Sequence, residues 1–339
     1  MQFYTTINIK SLEPFISYRD KILLTGSCFT EHIGNFLIET KFNILQNPNG
    51  ILFDPVSVSS SLLSYIQNKK YAEEDLFYLN EAWNSWHHHS RFSNPDKVEC
   101  LKNINESQQQ AHQFLKTAKW IIITLGSSFS YRLTEQAPNS KEFSPNAPLA
   151  GLRAVANCHR APAQWFNKHL MTIEEIISNL DDSVQQLFQF NPGLNIIFTV
   201  SPVRHIRDGV VDNNRSKARL IEAVHSLINK YDKLNYFPAY ELVIDVLRDY
   251  RFYDTDLVHP NYMATEFVLE KFAEVFIDEP SQRLMREIKS VMIARKHKAF
   301  QPDTAAHKQF LKTYFEKTKA LKEKYSFLDL NEEIKYFNS

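Results

Sequence analysis

The sequence predicts an α/β fold: a three-layer α/β/α sandwich around a parallel sheet of about five strands, followed by a helical C-terminal extension. Short apolar runs without polar alternation, as in KILLT (21–25), WIIITL (120–125) and NIIFTV (195–200), are typical of strands buried on both faces. Segments with helical spacing separate these runs, which indicates strand–helix–strand crossovers. Of the 339 residues, 43% are hydrophobic and 23% are charged, as in ordinary globular proteins.

The other elements follow from the same two patterns. In chain order they are a helix over 30–41, a strand in 41–45, helices over 57–67, 163–190 and 213–230, and a strand around Leu242–Val246. Residues 70–100 are aromatic and predict no regular element, and a proline-rich loop is expected over 135–163.

The composition changes near Pro280, where the chain becomes rich in lysine and glutamate with helical spacing. The sequence therefore predicts a main domain over 1–279 and a helical extension over 280–339 that packs on it.

Composition also excludes several classes of function. Lysine plus arginine and aspartate plus glutamate each total 39, so the net charge gives no attraction to nucleic acid or to anionic lipid. No apolar run reaches the roughly 18 residues of a membrane span. The three cysteines cannot build a disulfide framework, and the start of the chain lacks the pattern of an export signal. A cytoplasmic protein is therefore expected.

Small and polar residues follow the ends of the predicted strands, where parallel sheets bind their ligands. They stand in the segments Gly26-Ser27-Cys28, Asn49-Gly50, Gly126-Ser127-Ser128 and Ser201-Pro202. We expect these segments to form one site.

The segment at Ser27 and Cys28 lies at a strand-to-helix turn, where free N–H groups and the helix dipole favour an anion. A cysteine in this position is expected to have a lowered pKa. The alternative is a small, inert cysteine packed in a tight turn.

A second candidate pair is Asp256 and His259, in the motif DTDLVHP. One short turn can bring both side chains together, so that the carboxylate orients the imidazole and stabilises its cationic form.

Together these motifs resemble the GSCFA-domain family of bacterial proteins, which is similar to the SGNH/GDSL hydrolases. The blocks that carry the resemblance over residues 20–275 are GSCFT, NPNGILFDP, TLG, NCHRAP, SPVRHIRDG, YFPAYELVIDVLRDYRFY and DTDLVHP. The resemblance implies a catalytic domain over 1–279 that acts on acyl esters without a cofactor.

Aligned on the GDSL pattern without a gap, Cys28 takes the place of the nucleophile. A turn one residue different would give that role to Ser27, with Cys28 as a packing residue. The family resemblance makes His259 the general base and Asp256 the residue that orients it.

The resemblance also implies oxyanion donors. The second block places Asn49 and Gly50 there, and the N–H of the nucleophile supplies a further donor. The third block is normally Gly-x-Asn, but here it begins at Gly126 and lacks the asparagine. Ser128 or Asn157 could replace it.

Two further groups have alternative interpretations. Three consecutive histidines end at His89, but adjacent side chains diverge, so we predict no metal site and place His89 at the substrate cleft or in an aromatic cluster. Arg204 and His205 follow a strand end, where a cation could hold a carboxylate or phosphate. The alternative for Arg204 is an ion pair with Asp245 or Asp249.

The predicted function is that of an acyl esterase or acyltransferase acting on a small-molecule or carbohydrate ester. The missing asparagine motivates an alternative, a ligand-binding module on the same fold with weakened catalysis. No motif predicts the oligomeric state.

Overall fold

A five-stranded parallel sheet occupies the centre of the protein. The computed structural model describes residues 5–140, 154–298 and 300–338. The strands are β1 (Lys21–Gly26), β2 (Asn43–Gln46), β3 (Leu76–Leu79), β4 (Ala82–Ser85), β5 (Trp120–Leu125), β6 (Phe129–Leu133), β7 (Phe166–Leu170), β8 (Asn195–Val200) and β9 (Leu234–Phe237). The order in the central sheet is β2-β1-β5-β8-β9. The predicted α/β fold class is confirmed.

Helices cover both faces of this sheet. They are α1 (Cys28–Glu39), α2 (Pro55–Gln67), α3 (Lys97–Leu115), α4 (Ile173–Phe190), α5 (Val210–Ile228), α6 (Ala239–Glu241), α7 (Tyr262–Phe276), α8 (Glu279–Lys296), α9 (Ala305–Lys324) and α10 (Asn331–Phe337).

The alternation of side chains along β5 shows why the strands lack polar residues. Trp120 and Ile122 contribute to the core on one side of the sheet, together with α1 and α7. Ile121 and Ile123 contribute to the core on the other side, together with α2, α4 and α5. Because successive side chains point to opposite faces, a strand between two helical layers must be apolar throughout.

The strand order places a crevice between β1 and β5. After β1 the chain continues to β2 on one side, whereas after β5 the next strand of the sheet, β8, lies on the other side. The connections that leave β1 and β5 therefore diverge, which opens a crevice between them at the carboxyl ends of the strands.

The last strand of the sheet differs from its prediction. The predicted strand around Leu242–Val246 is wrong, because Leu242–Leu247 forms a π-helical segment that continues from α6. The fifth strand is Leu234–Phe237 instead. A short apolar run fits a helix or a strand equally well, and periodicity alone does not separate the two.

Two pairs of antiparallel strands outside the central sheet also differ from the predictions. Within the stretch at 70–100, β3 and β4 pair in antiparallel fashion. The helix predicted from residue 163 begins only at Ile173, because β7 pairs with β6 before it. Of the proline-rich loop expected over 135–163, residues 141–153 lie outside the described part of the chain.

The C-terminal extension is helical, as predicted, and shares the core of the main domain. Ile288 and Val291 of α8, together with Phe337 of α10, belong to the same cluster of buried side chains as Phe272 of α7. No helix in the described ranges is long and apolar enough to cross a membrane.

One buried carboxylate joins the extension to the end of α1. Glu333 is fully buried, and its carboxylate accepts hydrogen bonds from Lys41 Nζ at 3.0 Å and from Arg295 at 2.5 Å. The neighbouring Glu332 also pairs with Arg295, at 3.0 Å, but is 78% exposed. The two glutamates thus contact the same arginine from different environments.

We therefore expect Glu333→Ala to lower the free energy of unfolding by about 3 kcal/mol, because it leaves Lys41 and Arg295 without their buried partner. The matched variant Glu332→Ala should cost about 0.5 kcal/mol, as exposed pairs do. Urea unfolding followed by circular dichroism measures both. Equal losses in the two variants would show that burial of Glu333 contributes nothing to stability.

Candidate active site

A cavity of about 670 Å³ opens at the carboxyl ends of the strands. Its lining includes Ser27, Cys28, Arg204, Asp256 and His259. Residues predicted from separate parts of the sequence therefore line one cavity, which agrees with the expected location of ligand sites in open parallel sheets.

The turn from β1 into α1 depends on a close backbone contact. Gly26 has a φ angle of +141°, and a Cβ atom added there would lie 2.2 Å from the carbonyl oxygen of Thr124 in β5. The N–H of Ser27 donates to that same carbonyl at 2.9 Å. Since no side chain fits between the two strands, glycine lets the chain turn at the crevice and begin α1 at Cys28.

The thiol of Cys28 is half-buried at the first position of α1. Burial raises its pKa above the usual value, although the positive charge of Lys217 and the backbone N–H of Phe29 act in the opposite direction. The predicted lowering of the pKa is therefore wrong. The helix N-terminus favours the thiolate, as expected, and so does the charge of Lys217, but the loss of solvation outweighs both.

Ser27 differs from its neighbour in exposure. Its side chain is only 3% exposed, and its hydroxyl has no hydrogen-bond partner in the described chain. Its carbonyl accepts the N–H of Thr30, which starts the first turn of α1. Ser27 thus borders the cavity with little freedom to reorient.

The loop from Asp254 to His259 holds the second half of the site. Asp256 accepts the backbone N–H groups of Val258 and His259 with Oδ1, and the His259 Nδ1–H donates to Oδ2 at 2.7 Å. These hydrogen bonds lower the pKa of Asp256 to about 2, so the carboxylate stays ionised near neutral pH. His259 lines the cavity, but no hydrogen bond joins it to Cys28 or to Ser27 within the described residues, and its Nε2 has no hydrogen-bond partner there.

Asn49, Gly50 and His89 form a neighbouring cluster and are not among the residues that line the cavity. The N–H of Gly50 donates to the carbonyl of Asn47 at 2.7 Å, so it is not available to an oxyanion. Asn49 donates to the carbonyl of His87. Ile51, one residue beyond Gly50, does line the cavity.

The residues of the third block, Gly126 to Ser128, also have backbone N–H groups engaged in other hydrogen bonds. Gly126 lies beside Ser27, but its N–H donates to the carbonyl of Phe53 at 2.8 Å. Ser128 is buried and donates its N–H to Ser216, and Asn157 accepts the N–H of His159. Neither Ser128 nor Asn157 is among the cavity residues, so the structure brings neither of them to the position of the missing asparagine.

The contacts of His89, which ends the histidine run, and of Arg204 test the alternatives given for each residue. The described chain contains no group of three side chains suited to a metal ion. His89 accepts the backbone N–H of Arg91 with Nδ1 and caps a short turn. Arg204 forms no ion pair in the described part of the chain, and Asp249 pairs with Arg251 instead. The predicted ion pair of Arg204 with Asp245 or Asp249 is therefore wrong.

Lys217 is a residue that sequence reasoning missed. It is 1% exposed, and its Nζ donates to the carbonyls of Gly126 at 2.6 Å and Ser201 at 2.7 Å. These carbonyls follow β5 and β8, so the lysine joins the two loops beneath the cavity. Burial lowers the pKa of Lys217 to about 7, against the opposing effect of Cys28.

A signal for this lysine was present in the sequence. Asn213, Lys217 and Leu220 are spaced as one face of a helix, and all three are buried. No acidic residue lies three or four positions from Lys217 in the sequence. A lysine on the buried face of a helix without such a partner indicates a structural or electrostatic role.

Two protein-family models match the chain. The model of the GSCFA family matches residues 21–272, which is more than half of the chain. The protein belongs to the GSCFA family. A second model, for the C-terminal domain of GSCFA domain proteins, matches residues 288–339. No curated protein matches the chain.

The first model ends within α7, and the second covers the last part of α8 together with α9 and α10. In this GSCFA protein, all the cavity residues named above fall within the first match. The C-terminal helices contribute none of the described cavity lining.

We expect Gly26→Ala to destabilise the fold by about 3 kcal/mol, because a Cβ atom would overlap the Thr124 carbonyl and the φ angle is strained for alanine. The control is Gly193→Ala, where the added Cβ would meet only Asn191 Oδ1 at 3.4 Å. That variant should change stability by less than about 0.5 kcal/mol. Urea unfolding measures both, and equal effects would contradict the role given to Gly26.

Lys217→Met should raise the pKa of the Cys28 thiol further, because it removes a positive charge that favours the thiolate. Alkylation of Cys28 by iodoacetamide near neutral pH should then slow on the order of tenfold. Peptide mass spectrometry measures the rate at each cysteine. In wild-type protein and in Lys217→Met, the rate of alkylation at Cys28 should rise as the pH increases toward the pKa of the thiol.

Cys158 serves as the internal control, because burial raises its pKa to about 11 without a contribution from Lys217. Lys217→Arg, which keeps the charge, should recover much of the Cys28 rate. Equal slowing at both cysteines would indicate a general change in the fold and would contradict an electrostatic role for Lys217.

Proposed function

We propose that the protein is an acyl esterase or O-acyltransferase in which Cys28 carries the acyl group, His259 transfers protons and Asp256 orients His259. The observation that supports this most directly is a single cavity lined by the thiol and by a histidine whose Nδ1 is fixed by a carboxylate at 2.7 Å. That bond leaves Nε2 as the proton-accepting atom.

The local geometry favours Cys28 over Ser27 as the nucleophile. The Ser27 hydroxyl is almost fully buried, whereas the Cys28 thiol is half-buried and lines the cavity at the start of α1. Sulfur also gives up its proton far more readily than a serine hydroxyl.

Because burial raises the pKa of Cys28, the thiol is mostly protonated near neutral pH and needs a base. In the first step, the Cys28 Sγ attacks the acyl carbonyl carbon while its proton passes to His259 Nε2. The bond from the acyl carbon to the ester oxygen then breaks, and His259 returns the proton to the leaving alcohol. A thioester on Cys28 remains.

In the second step, the hydroxyl of water or of an alcohol attacks the thioester carbonyl carbon, and His259 accepts its proton. The carbon–sulfur bond then breaks, and His259 returns the proton to Sγ, which regenerates the thiol. Water gives an esterase and an alcohol, such as a carbohydrate hydroxyl, gives an acyltransferase. Asp256 keeps its negative charge throughout, because hydrogen bonds from His259 hold its pKa at about 2. It therefore stabilises the imidazolium in both steps.

The first turn of α1 is the best source of oxyanion donors. The N–H groups of Cys28 and Phe29 donate to no backbone carbonyl in the described chain. They lie at the positive end of the helix dipole, beside the attacking sulfur.

A ligand-binding module with weakened catalysis is the second candidate. It is favoured by the engaged N–H of Gly50, by the absence of an asparagine at the third block and by the raised pKa of Cys28. Such a protein would bind an acyl compound in the same cavity without turning it over.

We expect wild-type protein to hydrolyse p-nitrophenyl acetate, and His259→Ala to reduce kcat/KM by about 100-fold or more, because a general base is lost. Cys28→Ser should cause a comparable loss, since serine needs stronger assistance from the base. Ser27→Ala should be milder. Absorbance of p-nitrophenolate measures all four proteins.

His297→Ala is the matched control, because His297 is exposed at the end of α8 and outside the cavity lining. It should leave the rate unchanged. If Ser27→Ala abolishes turnover while Cys28→Ser does not, the nucleophile is Ser27. If His259→Ala has no effect on the measured rate, the binding-module alternative is favoured.

A further inference from the structure

Among the described residues, two arginines of the cavity lining have no carboxylate partner. Arg204 and Arg207 both line the cavity with Cys28 and His259. Neither forms an ion pair within the described residues. An unpaired guanidinium at the rim of a partly enclosed site concentrates positive potential there.

The acidic residues of the same lining are already engaged. Asp208 pairs with Lys168, and both oxygens of Asp256 accept hydrogen bonds from its own loop and from His259. Burial lowers the pKa of His205 to about 4, so this histidine is neutral near neutral pH. With Asp208 paired to Lys168, the two arginines outnumber the remaining negative charge of Asp256, so the lining carries an excess of positive charge.

Arg204 is also held in place. Its guanidinium carbon lies 4.4 Å from the ring centre of Tyr253 and 5.2 Å from that of Tyr250. Its backbone N–H donates to the carbonyl of Val258, between Asp256 and His259. A guanidinium held against aromatic rings stays charged and still offers N–H donors to a planar or tetrahedral oxyanion.

We propose that this cavity selects substrates carrying an oxyanion group, a carboxylate or a phosphate, which Arg204 and Arg207 bind near the reacting acyl carbon. The reaction itself rests on the function proposed above, but the anion preference is a property of the cavity. It can therefore be measured without turnover.

Alkylation of Cys28 by two reagents provides the measurement. Iodoacetate and iodoacetamide are similar in size and attack the same thiolate, but only iodoacetate carries a carboxylate. The ratio of their second-order rate constants therefore cancels the thiolate fraction of Cys28. Free N-acetylcysteine gives the ratio in the absence of a protein field.

We expect the iodoacetate-to-iodoacetamide ratio at Cys28 to exceed that of N-acetylcysteine by about tenfold at low salt, and to fall as salt is added. Arg204→Gln and Arg207→Gln should each bring the ratio severalfold closer to the reference. Arg215→Gln is the matched control, since Arg215 is exposed on α5, pairs with Asp212 and lies outside the described lining. It should keep the wild-type ratio.

Inorganic phosphate and acetate, added separately, identify the preferred oxyanion by how strongly each slows alkylation by iodoacetamide. The proposal is overturned if the ratio at Cys28 equals that of N-acetylcysteine, or if neither arginine variant changes it. A loss of both rates with an unchanged ratio would mean that Arg204 only holds the loop at Val258, which also overturns it. Loss of esterase activity alone leaves these ratios unaffected, so the two proposals fail separately.

Discussion

The close approach of β1 to β5 at Gly26 determines where the reactive thiol lies. The backbone of Gly26 is so near Thr124 that a Cβ atom would lie 2.2 Å from its carbonyl oxygen. The same carbonyl accepts the N–H of Ser27, and α1 begins one residue later. The position of Cys28 is therefore set by a backbone contact inside the sheet, which is more rigid than a loop.

Lys217 performs a related task on the other side of the crevice. Burying an ammonium group is costly unless it is fully hydrogen-bonded. Two carbonyls, at Gly126 and Ser201, accept hydrogen bonds from its ammonium group, and they follow the neighbouring strands β5 and β8. One side chain thus joins the loops after β5 and β8 and supplies a positive charge that acts to lower the pKa of Cys28. Burial and this charge thus act on the pKa of the thiol in opposite directions, and burial outweighs the charge.

Much of the fold was predictable, because strands between two helical layers must be apolar on both faces. β1, β5 and β8 carry that signal clearly, whereas β9 is a run of four residues, LNYF, with too few apolar positions to stand out. The apolar run after it forms a π-helical segment, since a short run does not distinguish the two periods.

At the site, motif spacing predicted the hydrogen-bonded pair of Asp256 and His259, because a three-residue separation is a local property. Partners far apart in sequence were not predictable in this way. Spacing gives no information on which carbonyl engages the N–H of Gly50, or on how deeply Cys28 is buried. For the same reason Lys217 was missed: its two acceptors are contributed by separate strand-end loops.

The central claim is that Cys28 carries the acyl group during turnover. The most direct test is to quench the protein in acid while it turns over an activated acetyl ester, and to locate the acetyl group by peptide mass spectrometry. If Cys28 carries the acyl group, we expect an acetyl thioester on Cys28 that hydroxylamine removes at neutral pH. His259→Ala should accumulate much less of this thioester. An acetyl ester on Ser27, or rapid turnover with Cys28 unmodified at every time point, would contradict the assignment of Cys28 as the acyl carrier.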